Sequence, residues 1–156
     1  MQLASSAFQN GKPIPTKYAN VGVKGGQNIS IPLEWRDVPP ATKCLALSII
    51  DPHPVANNWV HWLVINIPKN ITTLSEGVST KNMPSGSKEF YNSFGTIGYG
   101  GPQPPKGSGL HPYEITLYAL NVEKLDLGAN TSLSAFKNTL EGKVLGMAKI
   151  VGTYER

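Results

Sequence analysis

The chain carries one cysteine in 156 residues, which excludes an internal disulfide and any zinc site built on a cysteine pair. Cys44 lies in an apolar strand pattern and reads as a small buried hydrophobe in a reducing compartment. Basic residues never cluster in blocks: 14 Lys and Arg against 10 Asp and Glu give a formal charge of +4 spread along the chain. Neither nucleic-acid binding nor a basic membrane-surface helix is predicted from that pattern. No apolar run approaches the length of a membrane span, and Met1-Gln-Leu-Ala-Ser-Ser-Ala-Phe8 has neither the basic start nor the long apolar stretch of a secretion signal. The expectation is a cytoplasmic protein with no integral membrane segment. Glycosylation triplets at Asn28, Asn70 and Asn130 are then chance matches. Also missing are a Gly-x-Ser-x-Gly elbow, a His-x-x-x-His pair and a glycine loop that opens a helix. Those patterns would carry nucleophilic hydrolysis, zinc binding and nucleotide binding respectively. Their absence argues against an enzyme, and no catalytic residue, metal ligand or cofactor is assigned.

What is present is rich in strands. Apolar residues make up 40%, with 16 glycines and 13 prolines as punctuation, and the length suits one domain spanning residues 1–156. Strands are expected at Gln2 to Phe8, Asn28 to Trp35, Lys43 to Ile50, Trp59 to Ile67, Tyr113 to Leu120 and Val144 to Tyr154. One helix is expected near the C-terminus: Thr131 can cap it, Leu133, Phe136 and Leu140 recur at helical spacing, and Gly142 can end it. Val38 to Pro40 and Leu74 to Val78 read as turns or short helices. The connection from Pro68 to Pro112 holds too many breakers for a helix, and a loop that long is functional or packed on itself.

Two polar clusters interrupt this apolar frame. An apolar strand ends in Asp51, a turn with Pro52 and Pro54 carries His53, and the next strand enters with Trp59, His61 and Trp62. Strand parity aligns His61 with Trp59, Leu63 and Ile65, an imidazole on an otherwise apolar face. The second cluster is Tyr99-Gly-Gly-Pro-Gln-Pro-Pro-Lys-Gly-Ser-Gly-Leu-His-Pro-Tyr113. Its prolines stiffen the loop, its glycines allow close approaches, and His111 and Tyr113 follow where loop becomes strand. Two histidines, a tyrosine hydroxyl and glycine-turn N–H groups are donors that suit a phosphate-like anion, with Asp51 orienting a ring behind them. A hydrolase using Asp51, His61 and His111, with or without a metal, is the last alternative.

Asp51-Pro52, Trp59-Val-His-Trp62, Gly98-Tyr-Gly-Gly-Pro-Gln-Pro-Pro105, His111, Tyr113 and Leu117-Tyr-Ala-Leu120 stand in an order and spacing that resembles the phosphatidylethanolamine-binding protein (Raf kinase inhibitor-like) family in its short prokaryotic form. Pro32-Leu-Glu-Trp35 and Gly152-Thr-Tyr154 add to it, so the likeness runs from about Phe8 to Tyr154. The resemblance implies a mainly β fold, a large antiparallel sheet packed on a smaller one with a helix in the C-terminal region. It implies a regulatory, non-catalytic binding protein whose pocket residues fall on Asp51, His61, Pro104, Pro105, His111 and Tyr113, with His53, Gln103 and Gly101 at the rim. The implied ligand is a small phosphate-like anion or a phospholipid head group. The implied partner is a protein, with a serine protease first and a kinase pathway behind it, and a homodimer is left open.

Three positions depart from that family's pattern. His53 replaces a second acid, Gln103 a cysteine, and Pro112 an arginine between the histidine and tyrosine. The first exchanges negative charge for a titratable ring, the second removes a thiol, and the third removes a cation while holding His111 extended.

Overall fold

Strand β3 (Cys44–Asp51) is buried at all eight positions, which is why its sequence shows no polar alternation: a central strand covered on both faces needs none. The computed structural model describes residues 1–156. In chain order the elements are β1 (Gln2–Ala4), a 3-10 turn at Thr16–Tyr18, β2 (Leu33–Arg36), β3, β4 (Trp59–Pro68), β5 (Thr73–Leu74), β6 (Lys88–Glu89), β7 (His111–Leu120), α1 (Leu133–Leu140) and β8 (Val144–Tyr154). A five-stranded sheet runs β6-β4-β3-β7-β8 and a three-stranded sheet runs β1-β2-β5, with every pairing antiparallel. The fold is therefore mainly β. No helix is long and apolar enough to cross a membrane.

Parity along β3 divides the interior in two. Leu45, Leu47 and Ile49 join Ile115, Leu117 and Trp62 in a core closed by Leu3, Leu33, Trp35 and Leu74 of the small sheet. Cys44, Ala46 and Ile50 face the other way, with Leu63 and Ile65, onto Phe136 and Leu140 of α1. Burying a Leu or Phe side chain is worth about 1.5–3 kcal/mol, so each layer is held by the apolar stripe it covers. Helix α1 is capped one residue later than expected. The Thr131 hydroxyl is bound to the Gly128 carbonyl at 2.6 Å, and Ser132 Oγ accepts from the Ala135 N–H at 3.0 Å. Gly142, at φ 71°, then turns the chain toward β8.

Two expected strands are shorter than their sequence patterns. The first stops at Ala4 because Ser5 turns the chain, its hydroxyl donating to the Pro32 carbonyl and accepting from the Ala7 N–H. The second begins only at Leu33, after Pro32, since proline has no N–H for the ladder. Leu74, expected in a turn or short helix, belongs to β5. The long connection is packed on itself. Glu89 accepts from Trp62 Nε1, from the Ser79 hydroxyl and from the Thr80 N–H, tying β4 to two stretches in the middle of the loop.

Candidate functional site

Asp51 at the end of β3, the first residues of β4 and the first of β7 come together at one end of the three central strands of the large sheet. What aims them is an irregularity in β4. Ile49 stands opposite Trp62 while Ile50 stands opposite Val60, so His61 is an extra residue in the pairing. A bulge of this kind re-aims side chains. His61 therefore shares the face of Trp62 and packs edge-on against Tyr113 at 5.0 Å between ring centroids, while Val60, Leu63 and Ile65 line the helix-side core. Strand parity, which put His61 beside Leu63 and Ile65, is overturned by that one residue.

Asp51, His61, Pro104, Pro105, His111 and Tyr113 line one cavity of about 160 Å³, with Trp59 and Phe94 on its apolar side. A larger cleft of about 420 Å³ lies along β1 and β2, but its charged groups are the exposed Glu34 and Arg36 and no histidine enters it. In the smaller cavity, Asp51 spends both carboxylate oxygens locally. Oδ1 accepts from the His53 N–H at 2.9 Å and Oδ2 lies 2.6 Å from His111 Nδ1. His61 Nδ1 is 2.6 Å from the Gly100 carbonyl, and a carbonyl only accepts, so Nδ1 carries the proton. Burial pulls the His61 pKa down to about 4, with the Gly100 carbonyl and Asp51 only partly opposing it, so the ring is neutral near pH 7. Burial likewise pushes the Tyr113 phenol far above the ordinary tyrosine range, and its hydroxyl has no partner among protein groups.

The three rim candidates separate. Gln103 lines the cavity and packs over Gly22, where an added Cβ would meet its amide at 2.4 Å. His53 lies outside the lining, stacked on the His111 ring at 3.8 Å and 18°. Gly101 is behind the wall: a Cβ there would lie 2.1 Å from the Tyr18 carbonyl oxygen and 2.7 Å from the Ala19 carbonyl carbon. Because both atoms are backbone, Gly101→Ala is expected to cost about 2 kcal/mol, as overpacking does. A thermal unfolding curve matching the parent's would show that the Tyr18–Ala19 segment moves aside freely.

One neighbour of the site carried no signal in the sequence beyond its place in Gly107-Ser-Gly109. Ser108 Oγ is 2.8 Å from His111 Nε2, so Ser108, His111 and Asp51 form a line resembling a nucleophile, base and orienting acid. Yet the Ser108 hydroxyl also donates to the Pro105 carbonyl at 2.6 Å, and Ser108 does not line the cavity. The chain of contacts fixes both nitrogens of His111. The expected glycine-turn donors are also engaged: Gly98 N–H bonds Phe90 O, Gly100 N–H bonds His61 O and Gly101 N–H bonds Asn28 Oδ1. These glycines stand behind the lining and their N–H groups offer nothing to a ligand.

Comparison with known proteins bears on this arrangement. A UPF0098 protein of Methanothermobacter thermautotrophicus is 43% identical over all of this chain and 99% of its own length. The crystal structure of Escherichia coli YbcL, described as a new member of the mammalian PEBP family, superposes with a TM-score of 0.93 at 32% identity, covering 99% of this chain and 98% of that one. A carboxypeptidase Y inhibitor, solved with its cognate proteinase, has the same fold at 19% identity and a TM-score of 0.56, over 99% of this chain and 82% of that one. The family model described as Phosphatidylethanolamine-binding protein matches residues 4–155, and the chain belongs to that family.

Proposed function

We propose that this chain is a regulatory binding protein whose pocket takes a phosphate-like or carboxylate group, and that it acts by engaging a partner protein, a serine protease in its most concrete form. The observation that carries the pocket assignment is Tyr113: a 1% exposed side chain whose hydroxyl lacks any protein partner, in the wall of a cavity shared with His61. A buried, unpaired hydroxyl costs about 1–3 kcal/mol, and a ligand oxygen would recover that loss. Tyr113→Phe should accordingly raise the stability of the ligand-free protein by about 1 kcal/mol and weaken phosphate binding by about tenfold. Chemical denaturation and calorimetric titration read the two effects. A variant that is destabilised and still binds phosphate normally would remove Tyr113 from the site.

The partner assignment rests on stiffness and on likeness. A protein that blocks a cleft needs a segment already near its bound shape, because ordering a loop on association costs free energy. Pro102, Pro104 and Pro105, with Pro105 exposed at the cavity mouth, form such a segment. The fold shared with a carboxypeptidase Y inhibitor supports the same direction. Titration of the pure protein against chymotrypsin-like, subtilisin-like and serine carboxypeptidase enzymes tests it. Reversible inhibition with the chain left uncut is expected. No inhibition at about micromolar concentrations, or steady cleavage between residues 102 and 112, would turn the assignment toward a kinase or lipid partner.

A further inference from the structure

Three lysines that stand far apart in the sequence are gathered by the fold at the end of the large sheet opposite the pocket. Lys43, Lys69 and Lys124 line a cleft of about 380 Å³ in which Glu123 is the single acid, three cations against one carboxylate for a net charge of +2. Cys44 lines this cleft and Asp51 lines the anion pocket. They are the first and last residues of β3, about 23 Å apart at the rise of an extended strand. Each lysine is carried on backbone that is already held. The Lys43 N–H donates to the Leu120 carbonyl at 2.8 Å, and Lys69 lies in the turn closed by the Ile71 N–H on the Pro68 carbonyl at 3.0 Å. Beside Lys124, the Asn66 amide donates to Leu125 O at 2.9 Å and accepts from the Leu125 N–H at 2.8 Å. Ser85 and Gly86 complete the lining from a turn held by the Ser87 N–H on the Pro84 carbonyl. Lys43 Nζ is 3.5 Å from Glu123 Oε1, whereas Lys69 and Lys124 have no acidic partner.

We infer that this cleft is a docking surface for an acidic segment of a partner protein. Charge complementarity names the occupant. The lining is almost wholly polar, which turns away an apolar peptide or an acyl chain. All three lysines are exposed, so a single small anion stays hydrated and gains little from any one of them. A run of carboxylates on one chain meets all three, and after the first contact the others form at high effective concentration. The pinned backbone beneath the lysines lowers the ordering cost of association, and their combined field speeds the encounter. Glu123 is the one repulsive group. Its side chain is 78% exposed and its pair with Lys43 is a solvated one, so it yields Lys43 to a guest at small cost. The anion pocket stays free while this surface is occupied.

Titration of the intact protein with a short oligoglutamate peptide, inorganic phosphate and a short single-stranded oligonucleotide tests this, read by calorimetry and by NMR amide shifts. Oligoglutamate is expected to bind at low salt and to weaken by about tenfold or more at physiological ionic strength. Its shifts should fall on residues 43, 69, 85–86 and 123–124 and leave 111 and 113 unmoved. Lys69→Glu combined with Lys124→Glu should weaken oligoglutamate by about tenfold or more. Lys24→Glu combined with Lys81→Glu makes the same change in net charge outside the cleft and should weaken it by less than about threefold. Equal losses in the two double variants would assign the attraction to overall charge and overturn the inference. So would tighter binding of the oligonucleotide at these residues, which makes the occupant a nucleic acid, or phosphate moving the amides of Lys69 and Lys124 as strongly as the peptide does. Tyr113→Phe, which alters only the anion pocket, should leave oligoglutamate affinity unchanged. Oligoglutamate that fails to bind at low salt would overturn the docking surface and leave the anion pocket standing.

Discussion

Replacing His111 with alanine is expected to destabilise the protein by about 3–5 kcal/mol, the cost of stranding a buried charge by removing its partner. His111 is 0% exposed and Asp51 only 2%. Without the imidazole, Asp51 keeps a single hydrogen bond, from the His53 N–H, and the His53 ring loses the surface on which it stacks. Urea unfolding at neutral pH measures the loss. The double variant Asp51→Asn, His111→Ala separates charge from packing: with no carboxylate left to strand, its loss should fall short of the summed single losses by about 1 kcal/mol or more. Strict additivity, or a His111→Ala loss under about 1 kcal/mol, would mean that water reaches Asp51 once the ring is gone.

Acid should unfold the protein through His61. Its folded pKa of about 4 lies below the ordinary 6.5, because burial penalises the charged ring. Above pH 6.5 the ring is neutral in both states and contributes nothing to the pH dependence. As the pH falls below 6.5 the unfolded chain takes up a proton that the folded chain refuses, and stability drops until the folded ring titrates near pH 4. The shift corresponds to about 3 kcal/mol of stability lost across that window. Unfolding free energies taken at steps between pH 7.5 and 4 should show the decline, and His61→Gln should flatten it by a comparable amount. An identical slope in parent and variant would assign the acid sensitivity to other groups.

Much of the constellation could be read from the chain because its polar residues stand at the ends of apolar runs. Asp51 closes an apolar strand, His61 opens one and His111 opens another, and antiparallel pairing of such strands gathers their ends. The facing of His61 was not legible. A bulge is a property of two strands in register, and nothing in Trp59-Val-His-Trp62 alone records that β3 pairs with Trp62 and then with Val60. The role of the loop glycines was misread for a related reason. Their N–H groups look free in sequence, but His61 O and Asn28 Oδ1, 39 and 73 residues away, claim them in space. Two-residue strands such as β5 and β6 have no periodicity to display and exist only through their partners β2 and β4. Ser108 reaches His111 through a tight turn in which Gly107 and Gly109 both take positive φ, 76° and 87°, a geometry that residue types suggest only as flexibility.

His61 and Gly100 are joined twice, by the backbone bond from Gly100 N–H to His61 O at 2.8 Å and by the side-chain contact between His61 Nδ1 and Gly100 O at 2.6 Å. The adjoining residues extend the tie, with the Tyr99 hydroxyl on the Tyr18 carbonyl and the Gly101 N–H on Asn28. In hydrogen-exchange terms the loop belongs to the same cooperative unit as the central sheet. Its amides at 100 and 101 can exchange only when the start of β4 and the segment from 18 to 28 let go together. A ligand seated against His61 would then slow exchange across all three segments at once, and entry to the cavity does not depend on a lid that opens by itself.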